Sequence, residues 1–281
     1  MTCKMRVLRR WRRMAIAALL GLCSLWAVAV SLPQGESEDS TRRIWKKRFR
    51  EARAHTRARR PRSTAVNGEL IGVTIWRLRD EQNKPMAERA TAGTLFNEGE
   101  RVRLSIEVPR EGDNYLYVID REVYADDTAS DPYLIFPSQS TPKWGNVATA
   151  GKPIFVPAQG DEFPYFTLER ARKDQLREEL TIIVSPKPLK VPIGAPTNPV
   201  RLEREQVVQW ERLWGGRVEW WEELSGVGKQ LTAAEKAADK GERRLVQGDP
   251  LPQTMYLIKV KSGAPMVLRV PLRIASRSDS Y

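Results

Sequence analysis

Any chemistry done by the body of this chain must come from carboxylates, hydroxyls, amines and guanidiniums. Its single histidine, His55, and both cysteines, Cys3 and Cys23, all fall before residue 56. The remaining residues therefore hold no partner for a Ser-His-Asp triad or a Cys-His pair, and no imidazole or thiolate to ligate a metal. Neither GxGxxG nor GxxxxGK[ST] occurs, so the usual phosphate cradles are missing too. Acids are plentiful. YADDTASDP offers Asp126, Asp127 and Asp131, enough carboxylates for calcium, but it lacks the glycine and the closing acid of a calcium loop and reads as a hydrated hairpin. A carboxylate pair can hydrolyse a glycosidic bond, yet no spacing here selects one. The expectation is a non-enzymatic protein without metal or cofactor.

The formal charge of +12 suggests a polyanion partner, but it is local. Residues 1–62 hold seventeen Lys and Arg against four Asp and Glu, whereas residues 63–281 hold thirty against thirty-one. Nucleic acid is accordingly not the expected partner of the body. The excess lies in TRRIWKKRFREARAHTRARRPR, where Arg42, Arg43, Lys46, Lys47, Arg48, Arg50, Arg53, Arg57, Arg59, Arg60 and Arg62 form a candidate polyanion-binding arm within a polar linker, residues 33–67. Such an arm can tether a protein to anionic lipid or another polyanion.

Ahead of the arm, six basic residues between Lys4 and Arg13 precede Met14–Leu32, nineteen residues without a charge. Residues 1–32 read as a signal peptide cleaved after Ala29 or as an uncleaved membrane anchor; length decides neither. Leu22 before Cys23 is too large for a lipoprotein signal, and the arginines at 9–13 lack the positions that follow a twin-arginine motif. Either leader places the body outside the cytoplasm, membrane-anchored or secreted into the periplasm or envelope.

What must position any site is β-structure. From Gly68 onward, short apolar or alternating runs separated by Gly, Pro and Asp turns give nine expected strands: ELIGVTIWRL, RVRLSIEV, NYLYVID, PYLIFP, KPIFVP, PYFTL, ELTIIVS, TMYLIKVK and PMVLRVPLRI. The fold expected over residues 68–281 is mainly β, an antiparallel sandwich of Ig-like or jelly-roll-like kind, with closing strands at 253–274. Helix is expected in FTLERARKDQLREEL, in VRLEREQVVQWERLW up to Gly215-Gly216, and in TAAEKAADKG, where Thr232 and Glu235 form a capping box. The last two belong to a Trp-rich insertion at 200–243, in which residues 217–224 fit strand or helix.

Aromatics supply the candidate partner-binding residues. Tyr115 and Tyr117 share one face of a strand, and Trp210, Trp214, Trp220 and Trp221 crowd into twelve positions. They suit packing of a sandwich face first, and a stacking platform for a glycan or protein partner second.

Four pieces in order, Glu98–Ile106, Tyr115–Asp120 (YLYVID), Leu134–Ser138 (LIFPS) and Asn146–Pro157, resemble the bacterial domain of unknown function 4384 over about Leu70–Leu189. YADDTASDP replaces that family's shorter D-x-x-G turn. The resemblance implies an exported β-sandwich that serves as an accessory or sensing module, since related copies are fused to caspase-like peptidases or protein kinases. It carries over no functional residues. The expected function is an envelope module binding a protein partner or cell-wall component; the polybasic tether and a carboxylate-dependent glycan hydrolase are the alternatives.

Overall fold

The computed structural model describes residues 68–275, apart from 82, 83, 111, 144, 159, 160, 162 and 163. The apolar leader and all eleven basic residues of the arm lie outside the described residues. Among the described residues, no helix is long and apolar enough to cross a membrane.

The chain runs β1 (Glu69–Glu81), β2 (Lys84–Ala90), β3 (Leu95–Phe96), β4 (Arg101–Glu107), β5 (Asn114–Tyr124), β6 (Tyr133–Phe136), β7 (Val147–Ala148), β8 (Ile154–Val156), β9 (Phe166–Thr167), β10 (Gln175–Ser185), β11 (Val200–Arg201), α1 (Arg204–Trp214), β12 (Val218–Glu222), α2 (Ala233–Asp239), β13 (Thr254–Ile258) and β14 (Met266–Ile274). It is mainly β, as the alternation predicts. One sheet is ordered β12-β13-β1-β4-β8, with β2 beside β1 and β9 beside β4. The other is ordered β11-β6-β5-β10-β14-β3, with β7 beside β5. Their pairings are antiparallel except for the short parallel contact of β3 with β14.

The sheets close on one apolar core. Val73, Ile75, Val102, Leu104, Ile106 and Ile258 come from the first sheet, and Leu116, Val118, Ile182, Val184, Leu268 and Val270 from the second. Period-two alternation puts these residues on the inner faces. The expected helix at 166–180 does not form: Phe166–Thr167 is a strand, and from Gln175 the chain is already in β10. Pairing of the eleven-residue β10 with both β5 and β14 outweighs the local helical preference of its charged residues. Residues 217–224, open between strand and helix, contain β12, which extends the first sheet beyond β13.

The outer faces are covered as well, both by residues 200–251. On the second sheet, Val207 of α1 is buried, and Trp210 and Trp214 pack beside it over Tyr117, Ile119, Leu134, Ile183 and Val267. The two indoles stack, 5.7 Å apart and 12° from parallel. α2 lies on the first sheet, held by charge. Arg103 Nη1 and Nη2 donate to Asp239 at 2.7 and 3.0 Å, and Arg89, buried over the Trp76 ring, pairs with Glu235 and donates to Leu251 O at 2.6 Å. Glu235 Oε2 also accepts from the Thr232 backbone N–H at 2.9 Å, completing the capping box expected from the sequence.

Removing Glu235 would strand a buried guanidinium and open the cap at once. Glu235→Ala is expected to cost roughly 3–5 kcal/mol in urea unfolding, whereas Glu242→Ala, exposed just beyond α2, is expected to be near neutral.

Candidate functional site

The chain crosses between the sheets on one open side. It leaves β2 through Thr91–Thr94 to reach β3, and it leaves α1 through Gly215-Gly216 to reach β12. Glycine is required at the second crossing: a Cβ on Gly215 would stand 2.3 Å from Glu211 O, and one on Gly216 2.6 Å from Lys259 O. Between the crossings lies a cleft of about 1070 Å³. Val218 and Trp220 of β12 form one wall, Val208, Glu211 and Arg212 of α1 another, and β14 from Val267 to Arg273 joins them.

Trp220 pairs in register with Tyr256, whose side chain belongs to the core, so both sit on the inner side of the first sheet. The second sheet does not reach under β12, and Trp220 is left 60% exposed. Apolar surface is thus presented to solvent at the rim of a concavity, where tryptophan commonly anchors ligands.

The charged floor comes from the outer face of the second sheet. Arg121 Nη2 donates to Glu179 Oε1 at 2.6 Å and to Glu211 Oε1 at 2.7 Å, and Thr181 Oγ1 donates to the same Glu211 oxygen at 3.1 Å. Arg177 and Arg269 approach Glu179 at 3.4 and 3.8 Å. Burial opposes ionisation of Glu179, but Arg121, Arg269 and Arg177 together hold its carboxyl below the usual range. A carboxylate so anchored is a poor proton donor.

Sequence-selected residues are divided by this arrangement. Tyr117 is 3% exposed beneath α1, its Oη accepting the Leu189 N–H at 2.8 Å, and Tyr115 packs beside it. Trp210 and Trp214 join the same apolar layer, while Trp221 packs on the other sheet against Leu70, Leu251, Met255 and Leu257. Only Trp220 faces the cleft. The loop acids diverge: Asp126 accepts from Thr128 N and Oγ1, while Asp131 pairs with Arg201 at 2.9 Å and Arg204 at 3.1 Å. Among the described residues, no cluster of acids is arranged to hold a metal ion. The cleft arginines carry no sequence motif; alternation on β10 and β14 would place them on a common face, but not beside β12.

A second acidic group sits on the inner face of β5 and β10, where Glu122 lies directly opposite Glu178 and Asp120 is diagonal to it. Asp120 Oδ1 and Glu178 Oε2 are buried without a hydrogen-bond partner. Burial, then repulsion by Glu122 on Asp120 and by Asp120 on Glu178, raises both carboxyls well above the ordinary range. None of the three acids lines the cleft. Glu107, on the outer face of the first sheet, is pushed up to about 8, chiefly by burial and then by Glu235.

The chain matches no family model, no curated protein and no solved structure.

These raised carboxyls bind protons more tightly folded than unfolded. Their contribution to stability is complete below about pH 4, the unfolded carboxyl value, and is lost as pH rises through about 8 for Glu107. Thermal unfolding is expected to show a Tm that falls between pH 6 and pH 9, and Glu107→Gln is expected to flatten that fall.

Proposed function

We infer that this protein is a non-enzymatic binding module and that the cleft beside Trp220 receives its partner, a protein or a cell-wall component. The observation that carries this reading is the exposed indole at the rim of a cleft whose acids, Glu179 and Glu211, are tied to Arg121. A glycan hydrolase needs an acid free to give a proton next to its substrate, and the carboxyls with raised pKa, Glu107, Asp120 and Glu178, lie elsewhere. The cleft offers recognition chemistry: indole, guanidinium and strand edge.

The setting follows from the sequence. The basic, apolar leader supports presentation on the far side of the cytoplasmic membrane, anchored or released, and the four ordered pieces shared with the domain of unknown function 4384 family support an accessory role for an Ig-like or jelly-roll-like sandwich. The basic arm at residues 42–62 would then hold the body near anionic lipid.

A photoreactive amino acid placed at Trp220 in cells tests the cleft. A discrete crosslinked adduct is expected at 220 and at Arg212, with none at Lys236 of α2, on the outer face of the first sheet. Adducts of equal yield at all three positions, or none at 220 and 212, would refute the assignment.

A further inference from the structure

Arg177 of β10 stands directly opposite Arg273 of β14, and Arg269 lies on the same face. Like charges directly opposite one another destabilise a sheet, and the nearest acid, Glu179, is already shared among Arg121, Arg177 and Arg269. Four arginines line the cleft, Arg177, Arg212, Arg269 and Arg273, against two acids that Arg121 already engages. Among the described residues, neither Arg212 nor Arg273 has a carboxylate partner. Two of the four lining guanidiniums thus carry charge that no described carboxylate offsets.

Beside this charge runs an unpaired strand edge. β12 ends its sheet and pairs only with β13. Lys259 N–H donates to Arg217 O, and Glu223 N–H donates to Gln253 O, so the odd-numbered residues turn their backbone groups toward β13. Antiparallel alternation then directs the N–H and C=O of Val218, Trp220 and Glu222 away from β13, to the free edge. No proline interrupts this edge, whereas the β14 segment lining the same cleft is blunted by Pro271, which has no N–H to offer.

We propose that the partner's contribution is an extended acidic peptide, added as a strand to the free edge of β12, with the carboxylates of alternate residues passing Trp220 to reach Arg177, Arg269 and Arg273. This rests on the cleft being the binding site. Backbone pairing supplies affinity in this mode, and the side chains on alternate positions supply selectivity. The five residues of β12 set the length of contact at about 17 Å. Charge excludes the protein's own arm as occupant, since its eleven Lys and Arg would meet four more arginines.

The test titrates the full chain, by calorimetry and Trp fluorescence, with a synthetic peptide of about eight residues alternating Asp with Val. Three analogues accompany it: one with Lys for Asp, and two N-methylated on one or the other set of alternate amides. Binding of the acidic peptide is expected, weakened at least about tenfold by Arg273→Glu or Arg269→Glu and lost in the Lys analogue. N-methylation of one amide set should abolish binding, while the other should leave it within about twofold, because only one set faces β12. Equal effects of the two sets would overturn strand addition, and equal binding of the Lys analogue would overturn the acidic ligand. If none of the peptides binds while the crosslink at position 220 persists, the strand proposal fails and the cleft remains the binding site. Loss of both removes both. A chain that self-associates through β12 and excludes the peptide would make a second copy the occupant, and this too would overturn the proposal.

Discussion

Both sheets carry outer faces that cannot be left to water, and one segment of chain, residues 200–251, covers them both. The second sheet presents Tyr117, Ile119, Ile183 and Val267 outward, an apolar surface that Val207 and the stacked Trp210 and Trp214 bury. The first presents Arg89, Arg103, Ser105 and Glu107, and α2 brings Glu235 and Asp239 to the two guanidiniums. One cover is driven by the hydrophobic effect, the other by the cost of leaving a buried charge alone. Because the same segment serves both faces, it must pass from one sheet to the other.

That passage generates the cleft. At Gly215-Gly216 the backbone approaches Glu211 O and Lys259 O too closely for a side chain, so the chain turns there and lays β12 against β13. β12 adds a strand to the first sheet with nothing beneath it from the second. Trp220 consequently keeps the inward orientation of a core residue and the exposure of a surface one. The charged half of the second sheet, left bare by α1, borders the same opening and brings its arginines alongside. Cleft and structural cover are two consequences of one chain path.

The buried acids show where the fold departs from economy. Glu122 opposite Glu178, with Asp120 beside them, concentrates carboxyls on an inner face, and burial favours the protonated form of Asp120 and Glu178 there. Arg177 opposite Arg273 is the cationic counterpart, but a guanidinium cannot shed its charge near neutral pH; Glu179 approaches Arg177 at 3.4 Å, and Arg273 has no carboxylate partner among the described residues. This difference in chemistry separates carboxyls that can hold a proton from guanidiniums that stay charged.

Much of the architecture was legible in the chain because it follows from local periodicity. Val102, Leu104 and Ile106 alternate into the core as their spacing predicts, Thr232 and Glu235 cap α2, and Val207, Trp210 and Trp214 share a helical face. Only the second part of β10 was legible, as ELTIIVS: QLREEL before it has the composition of a helix, and pairing with β5 and β14 makes it extended. Nor could the sequence separate the four tryptophans. Proximity in the chain groups Trp210, Trp214, Trp220 and Trp221, yet they end on three surfaces, because a helix, a crossing and an edge strand intervene. By itself, then, the sequence determined the class of elements and the confinement of basic charge to residues 1–62. Tertiary structure alone decided which aromatic is exposed and which arginines meet it, since both depend on how strands far apart in the chain are laid side by side.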